Sequence, residues 1–185
     1  MHILATSSMS GLSEEKQVNV SGILGSCFHS FWIGDEDWEY DERASLQAGM
    51  LTLGGNGSGY LVDTAAHTGY VRIILEHLED PAAVSADDWD DVSLATLVLS
   101  TNRLYAASIG GLGQALELHL PNAGLHTVRV SGKNRVEDER SFDETAAAET
   151  YLIQIWSTSR AMQPQSIRLT SDWGQEQMMH GESAG

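Results

Sequence analysis

The chain has 185 residues, 42% of them apolar and 19% charged, with 26 acidic against 10 basic side chains and a formal net charge of -16. That length suits one domain with its own buried core, the apolar fraction excludes a disordered polyelectrolyte, and the charge disfavours nucleic acid and anionic membrane as direct partners because phosphate is repelled. No signal-peptide pattern opens the chain and no apolar run reaches the roughly 18 residues of a membrane span, while the single cysteine, Cys27, leaves no intramolecular disulfide, so a reducing, cytoplasmic location is expected.

In chain order, residues 1–16 are small and polar and read as a flexible N-terminal segment. From Gln17 short apolar runs alternate with turn residues. Gln17 to Gly22 alternates with period two, and the aromatic run Ser26 to Ile33 reads as a second strand. Arg43 to Leu53 fits helix or strand and runs into the glycine-rich turn Gly54 to Gly59. Tyr60 to Val62 and Tyr70 to Leu75 read as strands about a turn holding Gly69; in the second, Val71, Ile73 and Leu75 share a face opposite Arg72. Val92 to Ser100 is a nearly continuous apolar run of central-strand length, and Leu104 to Ile109 follows the turn Asn102-Arg103 as its returning strand. Leu116, Leu118 and Leu120 alternate with Glu117 and His119, and after Pro121-Asn122-Ala123-Gly124 the residues His126, Val128 and Val130 alternate with Thr127 and Arg129. Thr150 to Trp156 is a further strand, and Ile167-Arg168-Leu169 marks a terminal element of unassigned type. The sum is an all-β chain, an antiparallel β-sandwich or jelly roll of eight to ten strands with little helix. Its domain spans 17–158, and 159–185 is a polar extension.

At Trp89-Asp90-Asp91-Val92, Gly124-Leu125-His126-Thr127-Val128-Arg129-Val130 and Glu149-Thr150-Tyr151-Leu152-Ile153-Gln154-Ile155-Trp156 the chain resembles a loose group of bacterial all-β proteins. They share Trp-Asp-x-Val, Gly-x-x-x-Val-Arg-Val and Tyr-Leu-x-Gln-x-Trp stretches. The resemblance covers roughly residues 17 to 158; it implies the sandwich and carries no established activity.

No catalytic signature stands out. Seven histidines are present, but no His-Glu-x-x-His or Cys-x-x-Cys. His119 and His126 flank one predicted hairpin and read as structural. Gly110 to Gln114 and Gly54 to Gly59 lack the Gly-Lys-Ser/Thr of a phosphate loop, and no Gly-x-Ser-x-Gly elbow occurs. Cys27 lies in an apolar stretch and reads as a small buried hydrophobe. Trp32 and Trp156 fall inside strands and are expected in the core. The expectation is a non-enzyme without cofactor or metal.

The acids carry the functional signal. Nineteen of the 26 fall in three stretches, Asp35 to Glu42, Glu76 to Asp91 and Glu137 to Glu149. The first two interleave tryptophan with charge. Flat side chains inside a field of one sign suit a surface that steers and then grips a cationic protein. The expected partner-binding residues are Asp35, Glu36, Asp37, Trp38, Tyr40, Asp87, Asp88, Trp89, Asp90 and Asp91, provided that the stretches converge on one end or face. The leading reading is an immunity protein or inhibitor that blocks a basic, nuclease-like toxin or enzyme. The alternatives are a carbohydrate- or calcium-binding sandwich module and a structural or oligomerising domain with a generally acidic surface.

Overall fold

Alternation decides the centre of the molecule. On β6 (Thr68–His77), Val71, Ile73 and Leu75 are fully buried while Arg72 faces solvent. On β10 (Gly124–Lys133), His126, Val128 and Val130 are buried together. Such buried, β-branched runs satisfy their backbone only by pairing sideways. The structure, a computed structural model, describes residues 19–37, 46–54, 58–79, 87–136 and 147–182.

The other strands are β1 (Asn19–Cys27), β2 (Ser30–Gly34), β3 (Leu46–Ala48), β4 (Leu51–Leu53), β5 (Gly59–Asp63), β7 (Asp91–Leu99), β8 (Arg103–Ser108), β9 (Leu116–His119), β11 (Thr150–Ser157) and β12 (Gln165–Leu169). They form one mixed sheet in the order β12-β7-β10-β11-β6-β1-β2-β5-β4-β3, with β8 pairing β2 and β9 pairing β8. All pairs are antiparallel except β11 with β6, which is parallel. The mainly β character matches the sequence reading. The form differs: a single curled sheet, a half-barrel, takes the place of two separate sheets.

The sheet folds upon itself at one hairpin. β1 and β2 pair only at Cys27↔Ser30 and then diverge, β1 toward β6 and β2 toward β5 and β8. Two wings therefore enclose a shared core that includes Leu24, Phe31, Ile33, Leu104, Val128, Tyr151 and Ile153. Gly25 permits this closeness, since a Cβ there would lie 2.2 Å from Leu112 Cβ; its N–H donates to Leu112 O at 3.0 Å. The turn at Gly49-Met50 docks on β7, where Ser93 donates to Ala48 O (2.8 Å) and accepts from Met50 N (3.3 Å).

Several expected hairpins are instead crossings between wings. β7 leads to β8 on the other wing, and β9 returns to β10. These two crossings clasp each other: Leu120 N donates to Asn102 O (2.8 Å), and Asn102 Nδ2 donates to Leu120 O (3.2 Å). His119 and His126 therefore do not face one another. His126 is buried with Nδ1 3.0 Å from Gly124 O, and exposed His119 lies 3.1 Å from Glu117. Cys27 is buried as expected, whereas Trp32 and Trp156 are only partly so.

The segment read as a polar extension supplies β12, which pairs with β7, and an unforeseen helix α1 (Asp172–Glu182). Ser171 caps the helix by accepting from Gly174 N at 2.9 Å. No helix among the described residues is long and apolar enough to cross a membrane.

Candidate functional site

The chain leaves β10 at Gly132-Lys133 and turns at Asn134, whose left-handed backbone (φ 57) sends Arg135 back inward. Gly132 makes the room, since a Cβ there would stand 2.7 Å from Arg135 Cδ and 3.1 Å from Tyr151 Cε1. The Arg135 side chain is wholly buried. Its Nη1 pairs with Asp91, and Nη2 donates to Asp63 Oδ2 (2.7 Å) and Asp63 O (2.9 Å). Nε donates to the Tyr151 hydroxyl (3.1 Å) and lies 3.9 Å from Glu149 Oε1. The Tyr151 hydroxyl in turn donates to Glu149.

Each carboxylate has further donors, as buried charge requires. Glu149 accepts from Ala65 N (2.8 Å) and Ala66 N (3.0 Å). Asp91 accepts from Thr170 N (2.8 Å), Ser171 N (3.0 Å) and the Ser171 hydroxyl, at the start of α1 where a helix favours negative charge. Asp63 Oδ2 accepts from Trp173 Nε1 at 2.8 Å. The Trp173 ring stacks on His29 with centroids 4.4 Å apart. One guanidinium thus ties β5, β7, β11 and α1 together.

Three carboxylates around one cation cannot all ionise cheaply. Burial raises the Asp63 pKa to about 6, against the opposing pull of Arg135 and Trp173. Burial likewise pushes Glu149 up, partly offset by Tyr151 and Ala65. Asp91 goes the other way: burial would raise it, but hydrogen bonds from Ser171 and the charge of Arg135 hold it low. Between pH ~4 and ~6 folded Asp63 keeps a proton that the unfolded chain has released, so its contribution to stability falls as pH rises through that window. Asp63→Asn keeps an oxygen acceptor and removes the proton uptake. We expect urea midpoints measured across pH 4–7 to show that Asp63→Asn flattens this slope by up to about 3 kcal/mol. Equal slopes in the two proteins would refute the assignment.

Above the network lies a cleft of about 390 Å³ lined by Asp90, Arg135, Val136, Thr170, Ser171, Asp172, Trp173 and Glu176. Asp172 and Glu176 are exposed on its helical wall. Asp87 and Asp88 are exposed beside the start of β7, Trp89 and Asp90 are partly buried, and Asp90 accepts from Asn134 N at 2.6 Å. Exposed Asp87 stands 3.7 Å from partly buried Arg168, a loose pair of small energetic weight.

The acidic stretches do not all converge. Asp35 lies at the opposite end of β7, where its carboxylate accepts from Ser100 N, Thr101 N (3.2 Å), the Thr101 hydroxyl (2.9 Å) and Glu36 N (2.8 Å). Burial would raise its pKa, but these hydrogen bonds lower it. Nine residues of β7 put roughly 26 Å between the two ends. Asp35 and Asp91 are therefore internal fasteners, being 1% and 0% exposed. Glu36 and Asp37 are exposed at the far end. Trp38 and Tyr40 lie outside the described residues, as do residues 137–146 of the third stretch; of that stretch, Glu149 belongs to the Arg135 network.

The sequence reading missed Arg135, Asp63, Tyr151 and Trp173. The available signal was Gly132 followed two residues later by Asn134, a small residue and a left-handed former placed to fold the next side chain inward.

A curled, mixed-sheet half-barrel with an acidic end is the class this geometry defines. No family model matches the chain, and no curated protein matches it in sequence. Among solved structures it resembles ComJ from Bacillus subtilis, an inhibitor of the DNA degrading activity of NucA, with a TM-score of 0.54 at 12% identity over 77% of this chain and 98% of ComJ. It also resembles the protein of crocagin biosynthetic gene J, with a TM-score of 0.52 at 16% identity over 78% of this chain and 99% of that one. At these identities the likeness is one of fold.

Proposed function

We propose that this chain is a non-enzymatic binding protein that docks on a basic, nuclease-like protein and blocks it through the acidic end above Arg135. The observation that carries this reading is that Asp90, Asp172 and Glu176 line one cleft, with exposed Asp87 and Asp88 just ahead of Asp90 in the chain, over an arginine already engaged by three carboxylates. Such an end projects negative potential outward, which accelerates encounter with a cationic surface and selects against anionic ones. The fold shared with ComJ supports the reading, since ComJ inhibits a DNA-degrading protein. Trp89 stands beside the acids, and the exposed acids at the other end, Glu36 and Asp37, are not needed for it. The calcium alternative gains no support, for no group of three His, Cys, Asp or Glu among the described residues is arranged to hold a metal ion.

The test begins with immobilised protein exposed to host lysate at low ionic strength, followed by salt elution and identification of what is released. The expected result is a cationic nuclease whose DNA cleavage is inhibited stoichiometrically by the added chain. Asp87→Asn/Asp88→Asn/Glu176→Gln should weaken binding about tenfold or more and flatten its salt dependence. Glu36→Gln/Asp37→Asn should change it less than about twofold. Salt-insensitive binding, or an effect confined to the second variant, would sink the proposal.

A further inference from the structure

The hairpin at which the sheet folds has an unusual tip. A two-residue connection of this kind needs left-handed backbone at both positions, and Asn-Gly or Gly-Gly meets that need at least cost. Here the two residues are Phe28 (φ 53) and His29 (φ 59). Bulky side chains seldom adopt this conformation, and it is strained where it persists. His29 has an internal reason to be there. Its ring stacks on Trp173, its Nδ1 lies 3.2 Å from Thr64 O, its N–H donates to His67 O and its carbonyl accepts from Thr64 N. Phe28 has no comparable role. It is 78% exposed, and among the described residues its ring contact is a T-shaped one with His67, the centroids 6.0 Å apart.

The tip belongs to the acidic end. Phe28, His67, His29 and Trp173 form a chain of ring contacts with successive centroids 6.0, 4.7 and 4.4 Å apart. Trp173 is itself a wall of the cleft that carries Asp172 and Glu176. An apolar ring held out from a rigid support, beside a field of negative charge, has the anatomy of an interface anchor: an aromatic centre within a charged rim. Its base is fixed by hydrogen bonds and stacking, so little side-chain freedom is lost on docking.

We propose that Phe28 is the apolar anchor of the partner interface and that it enters a hydrophobic pocket flanked by Lys or Arg on the basic protein. This rests on the function proposed above and adds to it the residue and the kind of pocket it fills. The strained turn is retained because it aims the ring outward.

The test places the photo-crosslinking residue p-benzoylphenylalanine at position 28 and, separately, at position 88. Each protein is irradiated with host lysate at low ionic strength. We expect both positions to crosslink the same cationic protein, position 28 through a peptide with apolar residues between basic ones. With that protein purified, Phe28→Ala should weaken binding about thirtyfold. Phe28→Asn, which suits the left-handed backbone, should melt no lower than wild type and lose affinity as Phe28→Ala does, while wild-type affinity in a folded Phe28→Asn overturns the anchor. Crosslinking from position 88 but not 28, with Phe28→Ala binding like wild type, overturns the anchor and leaves the acidic interface standing. No crosslink to a cationic protein from either position overturns both.

Discussion

Arg135→Ala is expected to cost about 3–5 kcal/mol in urea or thermal unfolding at pH 7, the range for breaking a buried ion pair from one side. The substitution leaves Asp91 fully buried and Asp63 and Glu149 mostly so, with their negative charge unopposed. The donors at Thr170, Ser171, Ala65 and Ala66 remain, which keeps the loss below that of bare burial. The deficit should shrink as pH falls toward 4, because the stranded carboxylates then take up protons that the unfolded chain takes up only at lower pH. Arg135→Lys should sit between, since an ammonium is a point charge without the planar fork that reaches three partners at once. A deficit below about 1 kcal/mol, or one that does not change with pH, would show that Arg135 is not the counter-charge of this end.

Phe31→Ala should be of similar size, about 3–5 kcal/mol. Phe31 is fully buried on β2, and its ring meets Tyr151 of β11 edge-on at 5.2 Å and 70°. The two strands belong to different wings, so the cavity would open between them. Val98→Ala is the control. Val98 lies on β7 but is 57% exposed, and its loss should stay within about 0.5 kcal/mol. Equal midpoints for the two variants in urea would remove the wing-to-wing contact from the account.

These two side chains mark where the sequence could and could not be read. β6 was legible because its buried face, Val71, Ile73 and Leu75, alternates with exposed Arg72 and less buried neighbours, and β10 because Val128 and Val130 alternate with the polar Thr127, Arg129 and Ser131, although Thr127 and Ser131 are buried as well. The break between β1 and β2 was hidden because Phe28 and His29 carry none of the residue types that announce a turn. Partner strands were hidden for a different reason: a strand's own pattern does not say which wing it joins, so β8 and β10 were expected to return on neighbours they do not pair with. The acids show the limit most clearly. Composition counts carboxylates but not their direction, and Asp35 and Asp91, inside two of the densest runs, point inward. The helix α1 escaped notice because its start, Ser171-Asp172-Trp173-Gly174, has a good cap followed by a glycine in its first turn.

The docking of the C-terminal segment against Asp91 also bears on the order in which the molecule is made. A ribosome delivers Asp63, Asp91, Arg135 and Glu149 before it delivers Thr170, Ser171 and Trp173. Until those last residues emerge, Asp91 lacks its three tail donors, Asp63 lacks the indole, and β7 has one open edge where β12 will lie. Synthesis proceeds at about 5–20 residues per second, so the interval is brief in a full-length chain but permanent in one cut short before residue 165. Products of interrupted translation would keep buried carboxylates short of their tail donors beside an open strand edge, features by which quality control and aggregation find their targets.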